Sequence, residues 1–199
     1  AAPGYGVRAA WGDNEVAEVA GTSVAAPFVA GAAAAIRADE TELSAADVAR
    51  LLRDHADDTG APGSDPVFGS GVLNLARVRD RNTPGILDVA VAGHYLAPRE
   101  TEDGVTLQIS VENRGTEPVA RTRLTVRAGA AVTRFTVGTL APGETDYRQL
   151  EIDILDIPED GQLRIRSGVE LSRGRDGNPA NDVREADLRF AVSDRTEAP

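Results

Sequence analysis

Two hydrophobic patterns divide the chain. From Val24 to Ile36 apolar and small residues follow one another without a charge, whereas Val105, Leu107, Ile109 and Val111 alternate with Thr106, Gln108, Ser110 and Glu112. The first pattern predicts a helix buried on every side. The second predicts a strand with one face in a core and one in water. Around the first lie further helical signals. Ser44 followed by Asp47 is a capping-box start, Val48, Leu51 and Leu52 give one apolar stripe, and the helix so defined runs to about Ala56. Asn74 is placed to cap a short helix over Leu75 to Arg79. Upstream, Val16 to Ala20 reads as a strand, with Trp11-Gly12-Asp13-Asn14 as a polar hairpin tip. The long helix is expected to end near Asp39. Pro27 should remove its hydrogen bond to the Ser23 carbonyl and bend the first turn.

After Arg81-Asn82-Thr83-Pro84-Gly85 the period changes to two. Strands are predicted at Leu87 to Val91, through Val105 to Val111, at Arg121 to Val126, Thr133 to Val137, Leu150 to Ile154, Leu163 to Arg166 with Val169 to Leu171, and Asp187 to Val192. Asn113-Arg114-Gly115, Ala141-Pro142-Gly143 and Glu159-Asp160-Gly161 supply turns between them. The expected organisation is a mostly helical unit at 1–80, a linker at 81–86, an antiparallel Ig-like β-sandwich at 87–193 and a polar tail at 194–199.

Composition narrows the chemistry. Among the 199 residues there is no Cys, which removes disulfides, thiolate metal sites and thiol catalysis, and the formal charge of −11 opposes nucleic acid and anionic membrane as partners. Every basic residue is Arg. The apolar run ending at Ile36 falls short of the roughly 20 residues of a membrane span. A chain with no Met that opens on Ala1 is expected to be a processed product or a fragment, and secretion or display at the cell surface is the expected location.

Candidate chemistry sits at the start of the apolar helix. A Gly-Thr-Ser step there places Ser23 where first-turn N–H groups lack intrahelical partners and the macrodipole adds positive charge, an environment that stabilises an oxyanion. Gly21 permits a sharp bend and close approach of a substrate. The run Gly21-Thr22-Ser23-Val24-Ala25-Ala26-Pro27-Phe28-Val29-Ala30-Gly31 resembles the nucleophile motif G-T-S-x-A-x-P-x-V-A-G of subtilisin-like serine proteases, with Val24 and Phe28 where the family often has Met and His. Ala2-Pro3-Gly4 is similar to a segment that precedes this motif, and Gly69-Ser70-Gly71-Val72-Leu73-Asn74 to one that closes the catalytic domain. The resemblance covers Ala1 to about Asp80. It implies the C-terminal part of an α/β, three-layer, parallel-sheet domain in which Ser23 is the acyl-accepting nucleophile, its own N–H is one oxyanion donor, and Gly21 and Thr22 adjoin the substrate. The partners it implies are a peptide or protein substrate and the upstream part of the same domain, which would hold the Asp, His and oxyanion Asn. This chain alone is therefore expected to be inactive. Its helices, lacking their sheet, should leave apolar surface uncovered. No cofactor is required.

Other candidates weigh less. His55, beside Asp54, Asp57 and Asp58, would have to be the general base, but in the resembled family the base precedes the Ser, so it reads as a helix-end histidine. The Gly69-Ser70-Gly71 step lacks the third Gly of a dinucleotide loop, where Asn74 stands. Val111-Glu112-Asn113-Arg114-Gly115, Leu140-Ala141-Pro142-Gly143-Glu144 and Asn181-Asp182 resemble signposts of the adhesion-related CARDB-type Ig-like domains. Asp176, Asn178, Asn181 and Asp182 cluster oxygens in one loop; either a structural calcium ion or Asx turns account for them. His94 and Tyr95 read as a partly buried pair. The alternative to the protease reading is a non-catalytic, protease-like scaffold beside an adhesive module.

Overall fold

The computed structural model describes residues 1–97 and 104–190. The polar tail at 194–199 and the end of the last predicted strand lie outside them. Strands β1 (Val7–Ala10) and β2 (Val16–Val19) form an antiparallel hairpin, followed by α1 (Thr22–Asp39), α2 (Ala45–Asp54) and α3 (Leu75–Asp80). At the hairpin tip Asp13 and Asn14 adopt positive φ, which short Asx side chains tolerate. Ser44 and Asp47 form the predicted reciprocal capping box, and Asn74 Oδ1 accepts from the N–H groups of Ala76 and Arg77. A small core of Ile36, Val48 and Val78 joins the three helices, with Ala33, Leu43, Leu51 and Leu52 packed on it.

The all-round apolar sequence of α1 suits a buried helix, but without its sheet the helix was expected to leave apolar surface uncovered in this chain. Helix α1 runs through Pro27 to Asp39, only Ala32 and Ile36 on it are buried, and Phe28 remains 42% exposed. A sequence with no polar face records what a helix is built to meet, and here α2 is the helix packed against it. No three-layer α/β arrangement is formed among the described residues: every strand pairing is antiparallel, and the hairpin is the only sheet in this half.

The second half is a two-sheet antiparallel sandwich. Strands β3 (Val89–Leu96), β4 (Gly104–Asn113) and β7 (Thr145–Asp153) form one sheet in the order β3-β4-β7. Strands β5 (Thr122–Ala128), β6 (Ala131–Val137), β8 (Gln162–Leu171) and β9 (Val183–Arg189) form the other in the order β6-β5-β8-β9. Interleaving of sequence-distant strands in each sheet gives the Greek-key connectivity of Ig-like folds. The alternating apolar set of β4 meets Leu124, Val126, Leu163, Ile165 and Val169 of the opposite sheet in one continuous core.

Boundaries differ from the periodicity. Strand β3 begins later and extends to Leu96, so His94 and Tyr95 lie within it, and the two predicted pieces around Ser167 and Gly168 are one unbroken strand. Strands β7 and β9 both start earlier than predicted, at Thr145 and Val183, with Phe190 beyond the end of β9. Cross-strand pairing supplied by neighbours extends strands past the residues whose alternation announces them. On β4 the supposed water face is covered at one end, where Ser110 is 2% and Glu112 1% exposed.

Candidate functional site

The sequence folds so that Ser23 stands at the surface in the first turn of α1, directly after the first helical residue, Thr22. Gly21 takes φ 140° and ψ 162°, a conformation that a residue with a side chain rarely adopts. This bend swings the Thr22 and Ser23 N–H groups to the open end of the helix, where neither has an intrahelical acceptor. The Gly21 N–H donates to the Gly4 carbonyl at 2.7 Å, and a Cβ on Gly4 would stand 3.0 Å from the Gly21 oxygen and 3.4 Å from the Ala25 Cβ. The Ala2-Pro3-Gly4 segment thus lies against the Ser23 turn, and the two motifs singled out in the sequence meet in space. Chemically, the turn offers an exposed hydroxyl beside a helix N-terminus, with glycine on the approach side.

His55 is elsewhere. It caps the C-terminal end of α2, with its Nδ1–H donating to the Leu51 carbonyl at 3.0 Å, and it lines a cavity of about 480 Å³ between the helices and the sandwich. Part of the loop suspected of holding calcium is engaged by the chain itself, while Asn181 Oδ1 and Asp182 Oδ1 are buried without a hydrogen-bond partner. Asp176 accepts from Val89 N at 2.9 Å and Asn178 N at 2.7 Å, while Asn181 Nδ2 donates to Asp88 at 2.9 Å. Burial, then the neighbouring charges of Asp176 and Asp88, push the Asp182 carboxyl up to about 6. Among the described residues no group of three or more His, Cys, Asp or Glu is arranged to hold a metal ion. His94 Nε2 lies 2.8 Å from Ser167 Oγ and links the two sheets; burial, then Arg184, holds its pKa down to about 4. Ser167 is fully buried, so this pair is a structural tie.

Sequence reasoning missed a cluster at the junction of the halves. Arg77 of α3 donates to Ala56 O at 2.7 Å and pairs with Asp57 at 3.2 Å and with Glu112 of β4. Arg114 donates to Glu112 at 2.9 Å and pairs with Asp57 at 3.2 Å. Asn74 Nδ2 donates to both Asp57 oxygens, and Asp58 N donates to Glu112 Oε2 at 3.1 Å. Burial pushes the Glu112 carboxyl up, and Arg77 and then Arg114 oppose that. The signal available in the sequence was a Glu at the end of an alternating strand next to an Arg-Gly turn, which on its own is indistinguishable from a solvated edge.

With this geometry in place, residues 1–71 match the model of the Subtilase family, Peptidase_S8. No curated protein matches the chain. Among solved structures, the chain is similar to the CARDB domain of a Pyrococcus furiosus protein in complex with di-metal ions, at 19% identity, TM-score 0.42, covering 52% of this chain and 88% of that one. It is also similar to a domain of a Methanosarcina acetivorans protein, at 14% identity, TM-score 0.42, covering 57% of this chain and 100% of that one. A third is β-glucosidase 3B from Thermotoga neapolitana, at 14% identity and TM-score 0.31, covering 72% of this chain and 23% of that one. Among the described residues no helix is long and apolar enough to cross a membrane.

Proposed function

We propose that this chain carries the nucleophile segment of a secreted, subtilisin-like serine endopeptidase, with the β-sandwich as its accessory domain. Ser23 Oγ attacks the scissile carbonyl of a peptide or protein substrate, the Ser23 N–H is one donor to the oxyanion, and Gly21 and Thr22 border the substrate. The general base, the acid that orients it and the second oxyanion donor come from polypeptide outside these 199 residues. That same polypeptide covers the apolar surface left open on α1. The observation that carries this reading is the subtilase match over 1–71, with Ser23 exposed on the first turn of α1 behind a glycine in a conformation reserved for glycine. His55 is not placed to serve as base: it caps the C-terminal end of α2 and faces the cavity between the helices and the sandwich, whose lining does not include Ser23.

The test is covalent labelling by a fluorophosphonate. Joined to the segments bearing the Asp, His and Asn, the protein should label at Ser23, and Ser23→Ala should abolish both labelling and peptide hydrolysis. The 199-residue chain alone should do neither. Absence of labelling in the joined protein would favour the non-catalytic scaffold. Peptide cleavage by the isolated chain, lost in Ser23→Ala, would overturn the division of the triad.

A further inference from the structure

The contacts between the halves are built as one register. Asp57 and Arg77 belong to the helical half, Glu112 and Arg114 to the sandwich, and the pairing is crossed: Arg77 reaches Glu112, and Arg114 reaches Asp57. The Arg77, Arg114 and Glu112 side chains are 8%, 11% and 2% exposed, so three of the four charges sit almost out of water. Beside them the ladder between β3 and β4 shifts register between Val91 and Gly93. At that bulge the Ala92 carbonyl accepts from Thr59 Oγ1 at 3.3 Å and from Arg184 Nη1 at 2.9 Å. Gly93 faces Gly60 so closely that a Cβ on Gly93 would lie 3.1 Å from the Gly60 oxygen. The connecting residues are fixed too: Gly85 N donates to Glu117 at 2.8 Å, Thr116 Oγ1 donates to Thr83 O at 2.6 Å, and Thr116 N donates to Ile86 O at 2.9 Å.

We infer that the sandwich is a fixed buttress of the segment carrying Ser23, docked through the Asp57–Arg77–Glu112–Arg114 junction in a single register, rather than a module on a tether. The net Coulombic gain of such a network over hydrated charges is small, because full separation returns every group to water. Its effect is on partial openings. A slide or tilt strips Glu112 of Arg77 while leaving it under the loop that starts at Asp57, and an uncompensated buried charge is strongly disfavoured. The junction therefore has no cheap intermediate, and the two halves open together. The inference does not depend on the peptidase reading.

Hydrogen exchange on the full chain tests it without any hydrolytic readout. The Asp57 and Val72 amides, which bond each other's carbonyls, and the Asp58 amide on Glu112 report the helical side of the junction. In Glu112→Gln these amides should exchange at least about tenfold faster, while the amides of Leu107, Ile109 and Leu124 keep their protection. Arg77→Ala makes the same test from outside the sandwich and carries it if Glu112→Gln fails to fold. Gly93→Ala, which presses on Gly60 without altering charge, should have the same effect. Unchanged exchange at Asp57, Asp58 and Val72 in a folded Arg77→Ala variant, or two independent thermal transitions in the unsubstituted chain, would overturn the inference.

Discussion

His94 and Asp182 are both displaced by burial, with opposite consequences for stability. His94 is held down to about 4 against 6.5 for a free histidine, so between those values the unfolded chain binds the proton and the folded chain refuses it. Its contribution is complete above pH 6.5 and is lost as pH falls towards 4, by on the order of 3 kcal/mol at the lower end. Asp182, raised to about 6 from 3.8, does the reverse: its cost at neutral pH is relieved as pH falls through 6. The two act in opposite directions over this window, so removing either one should leave the slope set by the other more visible. In denaturant titrations from pH 7 to 4, Asp182→Asn should lose stability more steeply than the unsubstituted chain, because the protonation of His94 in the unfolded state is then no longer opposed by Asp182. His94→Gln, which keeps a hydrogen-bonding partner for Ser167, should gain stability relative to the unsubstituted protein over the same range. Parallel pH profiles for all three would contradict the assignment.

At the scale of elements, local chemistry was legible in the sequence and long-range cover was not. The Ser44 capping box, the Asn74 cap, the end of α1 near Asp39 and the inward set of β4 depend on neighbours within a few residues, and the chain announces them. What covers an element depends on distant sequence. Thus the all-round apolar sequence of α1 does not say what covers it, and in this chain much of it is exposed, while Glu112 was expected in water and is buried. Ser23 could be singled out because its motif is contiguous, whereas the Arg77–Glu112 contact spans residues that no spacing rule connects. Asn74 shows how a local device acquires a second duty, since it caps α3 with Oδ1 and holds Asp57 with Nδ2. Asn74→Ala should therefore cost about 1–2 kcal/mol for the cap alone, with more for the freed Asp57. Asn74→Asp keeps a capping acceptor but sets a carboxylate against Asp57, so it should be destabilised at neutral pH and recover on acidification. Urea unfolding at two pH values separates them; equal losses at both would show that the Asp57 contact contributes nothing.

For the whole molecule, the distribution of core decides which part folds by itself. The sandwich encloses a continuous set of fully buried side chains including Leu107, Ile109, Leu124 and Ile165, whereas the helical half gathers only Ile36, Val48 and Val78 and leaves Tyr5, Trp11 and Phe28 at the surface. A unit of that size with so little buried surface is not stable alone. Residues 87–199 expressed separately should melt cooperatively, because separation exposes Glu112 and Arg114 to water together, as a pair, and leaves the sandwich core untouched. Residues 1–80 expressed separately should show no cooperative transition and should bind a hydrophobic dye. Buttressing adds a quantitative expectation: the helical half should be protected in the full chain wherever it touches the junction, around Asp57 to Val78, and least protected along the first turns of α1 around Ser23. A calorimetric scan of each piece and of the full chain checks this, and a sharp melting transition from residues 1–80 alone would show that the helical half needs neither the sandwich nor the covering polypeptide proposed for α1.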